Sequence, residues 1–175
     1  MTRTAVREIA VRLSFSTTQG VDAPERALDA FFDKEYYATL GEEDELYSSY
    51  PNAKQMEYIR SAVTGVYEHR DELDGIIEKY SKGWKIHRIS KTAAAILRVA
   101  IYEMLYMEDV PVGAAINEAV ELAKGYEEKE TVAFINGILG SFARAEMPGE
   151  SVEVSDVSEA AAEAAEDDAP VKEGE

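Results

Sequence analysis

The run AAAILRVAIY, residues 93–102, decides how this chain folds. Nine of its ten residues are uncharged, and Arg98 is the exception. A helix that is apolar nearly all round belongs at the centre of a bundle, with other helices laid against it. Just beyond it, MEDVP (107–111) ends the helix and starts the next. Pro111 suits a first helical turn, and Asp109 lies close to that helix's positive end. The following segment repeats Val112, Ala115, Ile116, Ala119, Val120 and Ala123 at helical spacing. A last helix over roughly 128–144 turns Val132, Ile135, Ile138, Leu139 and Phe142 inward.

Upstream of the central run, SKGW (81–84) interrupts the periodicity and predicts a boundary between two helical subdomains, 1–82 and 83–146. In the first, residues 3–19 place Val6, Ile9, Ala10 and Leu13 on one helical face. Arg3 and Arg7 fall together on a border of that face, with Arg12 across the helix near Glu8. QGVDAPE (19–25) breaks the pattern, and Asp22, Pro24 and Glu25 make a helix start. A second helix then runs to about Thr39 through Leu28, Phe31, Phe32 and Tyr36. GEEDELYSSYPN (41–52) is a polar loop. Helical spacing returns from Ala53 with Met56, Ile59, Val63 and Val66, then again through Leu73, Ile76, Ile77 and Tyr80. No alternating strand pattern of useful length occurs, so the expectation is an all-α protein of two packed helical subdomains and about seven helices.

The net charge of −17 argues against a polyanionic partner until its distribution is read. Residues 147–175 hold ten acidic residues and one lysine, which leaves −8 on residues 1–146. That acidic segment has almost no large apolar residue and is expected to be a disordered tail. Cysteine is absent, which excludes disulfides and thiolate metal sites, and His69 and His87 are too far apart for a helical metal pair. No metal or cofactor is expected. No apolar run is long enough to span a membrane and no secretory apolar core follows the first arginines, so a soluble cytoplasmic protein is expected.

Catalysis needs convergent groups with tuned protonation, and none stands out. There is no nucleophile motif, glycine-rich phosphate loop or zinc spacing, so a non-enzymatic role is expected. Arg98, inside an apolar run, needs a carboxylate. Glu118 or Glu121 on the following helix would serve. Asn117 and Asn136 read as amides at stripe edges, bonding to neighbouring backbone. Phe134 lies at the edge of its core arc, on the flank of Glu130, Gly137 and Ser141. It is either a partly buried core residue or a platform for an unpaired base. Arg3 and Arg7 form an ordinary solvated border unless such a platform and a single-stranded ligand lie near.

Three segments carry a resemblance to a known family: ILRVAIYEM (96–104), DVPVGAAINEAVELAKGY (109–126) and FINGILG (134–140). Together with VREIAVRLSF (6–15), in this order and spacing, they resemble the NusB family over about residues 3–146. The resemblance implies a non-catalytic transcription antitermination factor. Such proteins pair with NusE, a small-subunit ribosomal protein, to hold the single-stranded boxA RNA of nascent ribosomal RNA. With other Nus factors on RNA polymerase they sustain elongation. It also implies RNA contacts at Arg3, Arg7 and Phe134, with Glu130 at the neighbouring acidic position, and partner contacts around Phe15 and Ala93. The chain departs from the family where Thr4 and Ala5 thin the arginine cluster. Phe15 replaces a usual tyrosine, Ala93 an often acidic residue, and Gly140 a common aspartate. Two other readings follow. A module fused to a ribosomal RNA methyltransferase would need a large α/β domain that this sequence does not contain. A helical protein–protein adaptor with weak or no RNA binding would suit the thin cluster and acidic tail.

Overall fold

The computed structural model describes residues 1–20 and 23–150, and these are helical with no strand among them. Eight α-helices follow in order: α1 (Arg3–Gln19), α2 (Pro24–Phe31), α3 (Lys34–Glu43), α4 (Ala53–Glu68), α5 (Arg70–Tyr80), α6 (Lys91–Tyr106), α7 (Val112–Tyr126) and α8 (Lys129–Glu146). Single 3₁₀ turns lie at Glu45–Tyr47 and Ile86–Arg88. The extra helix relative to the sequence reading comes from Asp33. Its carboxylate accepts from the backbone N–H groups of Glu35 and Tyr36, capping a new helix where one continuous helix was expected. The helix so started runs on to Glu43, inside the segment read as loop. Asp22 and residues 151–175, most of the expected tail, lie outside the described residues. Met147, the first residue of that tail in the sequence reading, packs on the core instead.

Two apolar cores form. The first joins Val6, Ile9 and Leu13 of α1 with Leu28, Phe32, Tyr37, Ile59 and Val63. The second surrounds α6, whose residues Ala93–Ile101 are all buried, with the inner faces of α7 and α8. Each fully buried Ile or Leu there stabilises the fold by about 1.5–3 kcal/mol. Leu73 and Ile77 of α5 belong to this second core. Helix α5, on the N-terminal side of the 82/83 boundary expected from the sequence, thus packs with the second core. Val11 and Val66 also reach the second core, so α1 and α4 bridge the two.

Close packing holds α4 to α6. A Cβ built on Gly65 would come within 2.0 Å of the Tyr102 ring, so this position excludes any side chain without repacking. No helix of the described residues is long and apolar enough to cross a membrane.

Candidate nucleic-acid interface

Helix α1 carries three arginines, and only Arg3 is left at the surface without a salt bridge among the described residues. Thr2 starts the helix by accepting from the N–H of Ala5. One turn on, Arg7 is turned inward and only 9% exposed. Its Nε donates to Glu103 Oε1 and Oε2 at 2.8 and 3.2 Å, and a second guanidinium nitrogen meets Oε1 at 2.8 Å. Tyr58 donates to the same carboxylate at 2.6 Å. Glu118 of α7 lies 3.5 Å from the guanidinium and accepts from the Thr4 hydroxyl at 3.0 Å. Burial pushes the Glu103 carboxyl up against the pull of Arg7 and Tyr58. Burial opposes the charge on Arg7 most strongly, but Glu103, Tyr58 and Glu118 together outweigh it and hold the guanidinium above its ordinary value.

This corrects the expectation that Arg7 shares a solvated border with Arg3. The guanidinium is buried between the Glu103 and Glu118 carboxylates, so its charge is already paired within the protein. Arg12 is similarly occupied. It donates to Tyr126 and Asp44 at 2.8 Å, to Glu8 at 2.9 Å and to Tyr47 at 3.3 Å.

Arg98 finds a carboxylate, but on another helix than expected. Its guanidinium holds Asp74 of α5 in two hydrogen bonds, 2.6 and 3.2 Å, rather than Glu118 or Glu121. The reason is the docking of α5 on α6 within the second core. Glu121 instead takes Lys124 one turn along its own helix. Asn117 is exposed, so it does not lock helices together. Asn136 is 2% exposed and its Nδ2 has no partner among the described residues, where a backbone bond was expected. Ala93 is fully buried, with its N–H accepted by the Ser90 cap, so its methyl offers nothing to a partner protein. Phe15 is half-buried against the second core and keeps part of its ring at the surface.

On α8, Glu130 is exposed and Phe134 is half-buried, packed on the second core. Beside Phe134 stands a residue that the sequence reading treated only as part of a break. The ring of Trp84 meets Phe134 at 6.4 Å between centroids and 62° between planes. Trp84 is 50% exposed and is the only tryptophan of the chain. It sits in KGWKIHRISK (82–91), which carries Lys82, Lys85, Arg88 and Lys91 with no acidic residue. All four cations are exposed. The signal was present in the sequence as a local charge excess beside an aromatic, but the total of −17 and the reading of SKGW as a break concealed it.

Among known proteins, the NusB family matches residues 4–144 of this chain. The transcription antitermination protein NusB of Acetivibrio thermocellus is 44% identical over 147 residues, 84% of this chain and 92% of that protein. That of Clostridium botulinum strain Kyoto is 37% identical over 140 residues, 80% of this chain and 98% of its relative. Among solved structures, NusB of T. maritima superposes with a TM-score of 0.62 at 28% identity, covering 86% of this chain and 96% of that one.

Proposed function

Since the chain belongs to the NusB family, we propose that it works as a non-catalytic transcription antitermination factor that grips single-stranded RNA. Its ligand is the boxA element of nascent ribosomal RNA. It binds this together with NusE, and the assembly joins other Nus factors on RNA polymerase to sustain elongation. The observation that carries the reading is the match over 4–144, which takes in both cores and every helix but the ends of the first and last.

Within this reading Phe134 stacks an unpaired base, Arg3 meets a phosphate, and Glu130 lines the same flank. The exposed part of the Phe15 ring belongs to the NusE side. Arg7 acts from inside: by fastening α1 to Glu103 of α6 and Glu118 of α7, it sets where Arg3 points. The described body is itself net acidic, so a basic partner protein would complete the RNA site.

The neutralised Arg7 and Arg12 favour a second reading, a protein–protein adaptor with weak or no RNA binding. One titration separates the two. A boxA-bearing RNA oligonucleotide is added to the protein with and without NusE over a range of salt. Salt-sensitive binding that NusE tightens is the expected result. Equal, negligible binding in both arms would leave the adaptor reading in possession.

A further inference from the structure

We propose that the segment Lys82–Lys91, with Trp84 at its centre, is a second contact for single-stranded RNA, continuous with the Phe134 platform. This rests on the reading of the protein as an RNA-binding factor, and adds to it a site on a different element.

Charge is the first ground. Four cations stand in ten residues without one carboxylate, in a body whose residues 1–146 sum to −8. Elsewhere the cations that touch the core are neutralised: Arg7 by Glu103, Arg12 by Asp44 and Glu8, Arg98 by Asp74. Among the described residues Lys82, Arg88 and Lys91 make no salt bridge, and Lys85 has only Glu78 at 3.9 Å. Such a cluster is the electrostatic footprint of a polyanion.

The aromatic component then selects the kind of polyanion. Half of the Trp84 surface is open while its ring rests edge-on to Phe134. Stacking on an exposed indole needs a flat base that is not already paired, which a duplex, a lipid headgroup or an acidic peptide does not supply. Lys82, Gly83, Trp84, Lys85, His87 and Arg88 line an open cavity of about 400 Å³, in the size range of small-ligand clefts.

The loop is also held in place before any ligand arrives. Ser81, 2% exposed, donates to the carbonyl oxygens of Glu78 and Trp84 at 3.0 and 2.6 Å. The Ile86 N–H donates to Glu78 Oε1 at 3.1 Å, and Ile86 and Ile89 pack on the second core. Lys82 and Gly83 make the turn at φ 52° and 94°. A turn fastened from beneath, with its cations facing outward, loses little further freedom on binding. At the far end of the segment Glu127 accepts from the Ser90 hydroxyl, which fixes its position.

Because Trp84 is the only tryptophan, its fluorescence reports on this site alone. The full chain is titrated with a single-stranded boxA-bearing oligonucleotide and, separately, with its duplex, while tryptophan emission and affinity are recorded. Single-stranded RNA should quench the emission more than the duplex does. Trp84→Ala should weaken single-strand binding about 5- to 150-fold. Combined Lys82→Ala, Lys85→Ala and Arg88→Ala should lower the salt slope by about 0.7 for each phosphate that is no longer neutralised. Melting curves of the triple charge variant should overlay the parent because its three side chains are exposed, and Trp84→Ala, which loses only the contact with Phe134, should still melt cooperatively. Unquenched emission with undiminished affinity in both variants would overturn the site while leaving RNA binding intact. Emission that responds to NusE but not to RNA would assign the loop to the protein partner and equally overturn it. Absence of RNA binding by every form, with NusE present, would sink the functional reading itself.

Discussion

Arg7 shows how far a residue's helical register falls short of its chemistry. Spacing places it beside Arg3, yet it turns inward because Glu103, fully buried on α6, needs a counter-charge. Neither group is stable alone in that position, since an isolated buried charge keeps almost none of its hydration. Glu103→Gln should therefore destabilise the protein by about 3–5 kcal/mol, the usual cost of stranding one member of a buried pair. Replacing both residues together with Met and Leu should recover much of that loss, as read from urea unfolding midpoints. If the single and double variants unfold alike, the pair is not the source of the cost. Phe134 offers the complementary case. It is half-buried, so Phe134→Ala should cost less stability than the roughly 3–5 kcal/mol of a full core truncation. Its RNA affinity should fall by about 1–3 kcal/mol. Full affinity in a folded but destabilised variant would make the ring a core residue only. Phe134 was legible from its place at the edge of the arc. The inward turn of Arg7 was not, because Glu103 lies 96 residues away.

Among the elements, the helices with strong apolar periodicity were readable, and α1 begins and ends at the residues expected. Boundaries set by a single polar side chain were harder to see. Asp33 splits one expected helix into α2 and α3, and Asp33→Ala should cost about 1 kcal/mol through the missing cap. Partner choice between helices was the other gap. Arg98 was expected to seek the next helix in sequence, but α5 packs on α6 and supplies Asp74. Asp74→Asn should accordingly cost about 1.5–3 kcal/mol, the range for a hydrogen bond to a charged group. Glu118→Gln should leave the surroundings of Arg98 unchanged. A larger loss in Glu118→Gln than in Asp74→Asn, measured by thermal melting, would contradict this arrangement. Where α4 crosses α6, Gly65→Ala pushes a methyl into Tyr102 and should lower stability by about 1–3 kcal/mol unless the ring swings outward. The sequence shows a glycine inside a helical segment, but not the ring that requires it.

For the whole molecule, charge is a matter of distribution. The −17 total conceals a cationic segment at 82–91, a body of −8, and a further −9 in residues 147–175. Long-range repulsion from that C-terminal charge acts on any approaching polyanion wherever the segment lies within a Debye length, roughly 8–10 Å at physiological salt and about 30 Å at 0.01 M. Removing residues 151–175 takes away nearly all of it and keeps Met147, which packs on the core. Both apolar cores are already built among the described residues, with Met147 retained, so the unfolding transition should stay where it is. RNA affinity should rise on truncation, and by more at low salt than at physiological salt, because screening already suppresses the repulsion there. Affinity and melting are measured for both lengths at two salt concentrations. A lowered or broadened melt would show that residues beyond 150 support the fold. Equal affinity at low salt would mean that their charge is not felt at the RNA-binding face, and that the selectivity for RNA is set by the body alone.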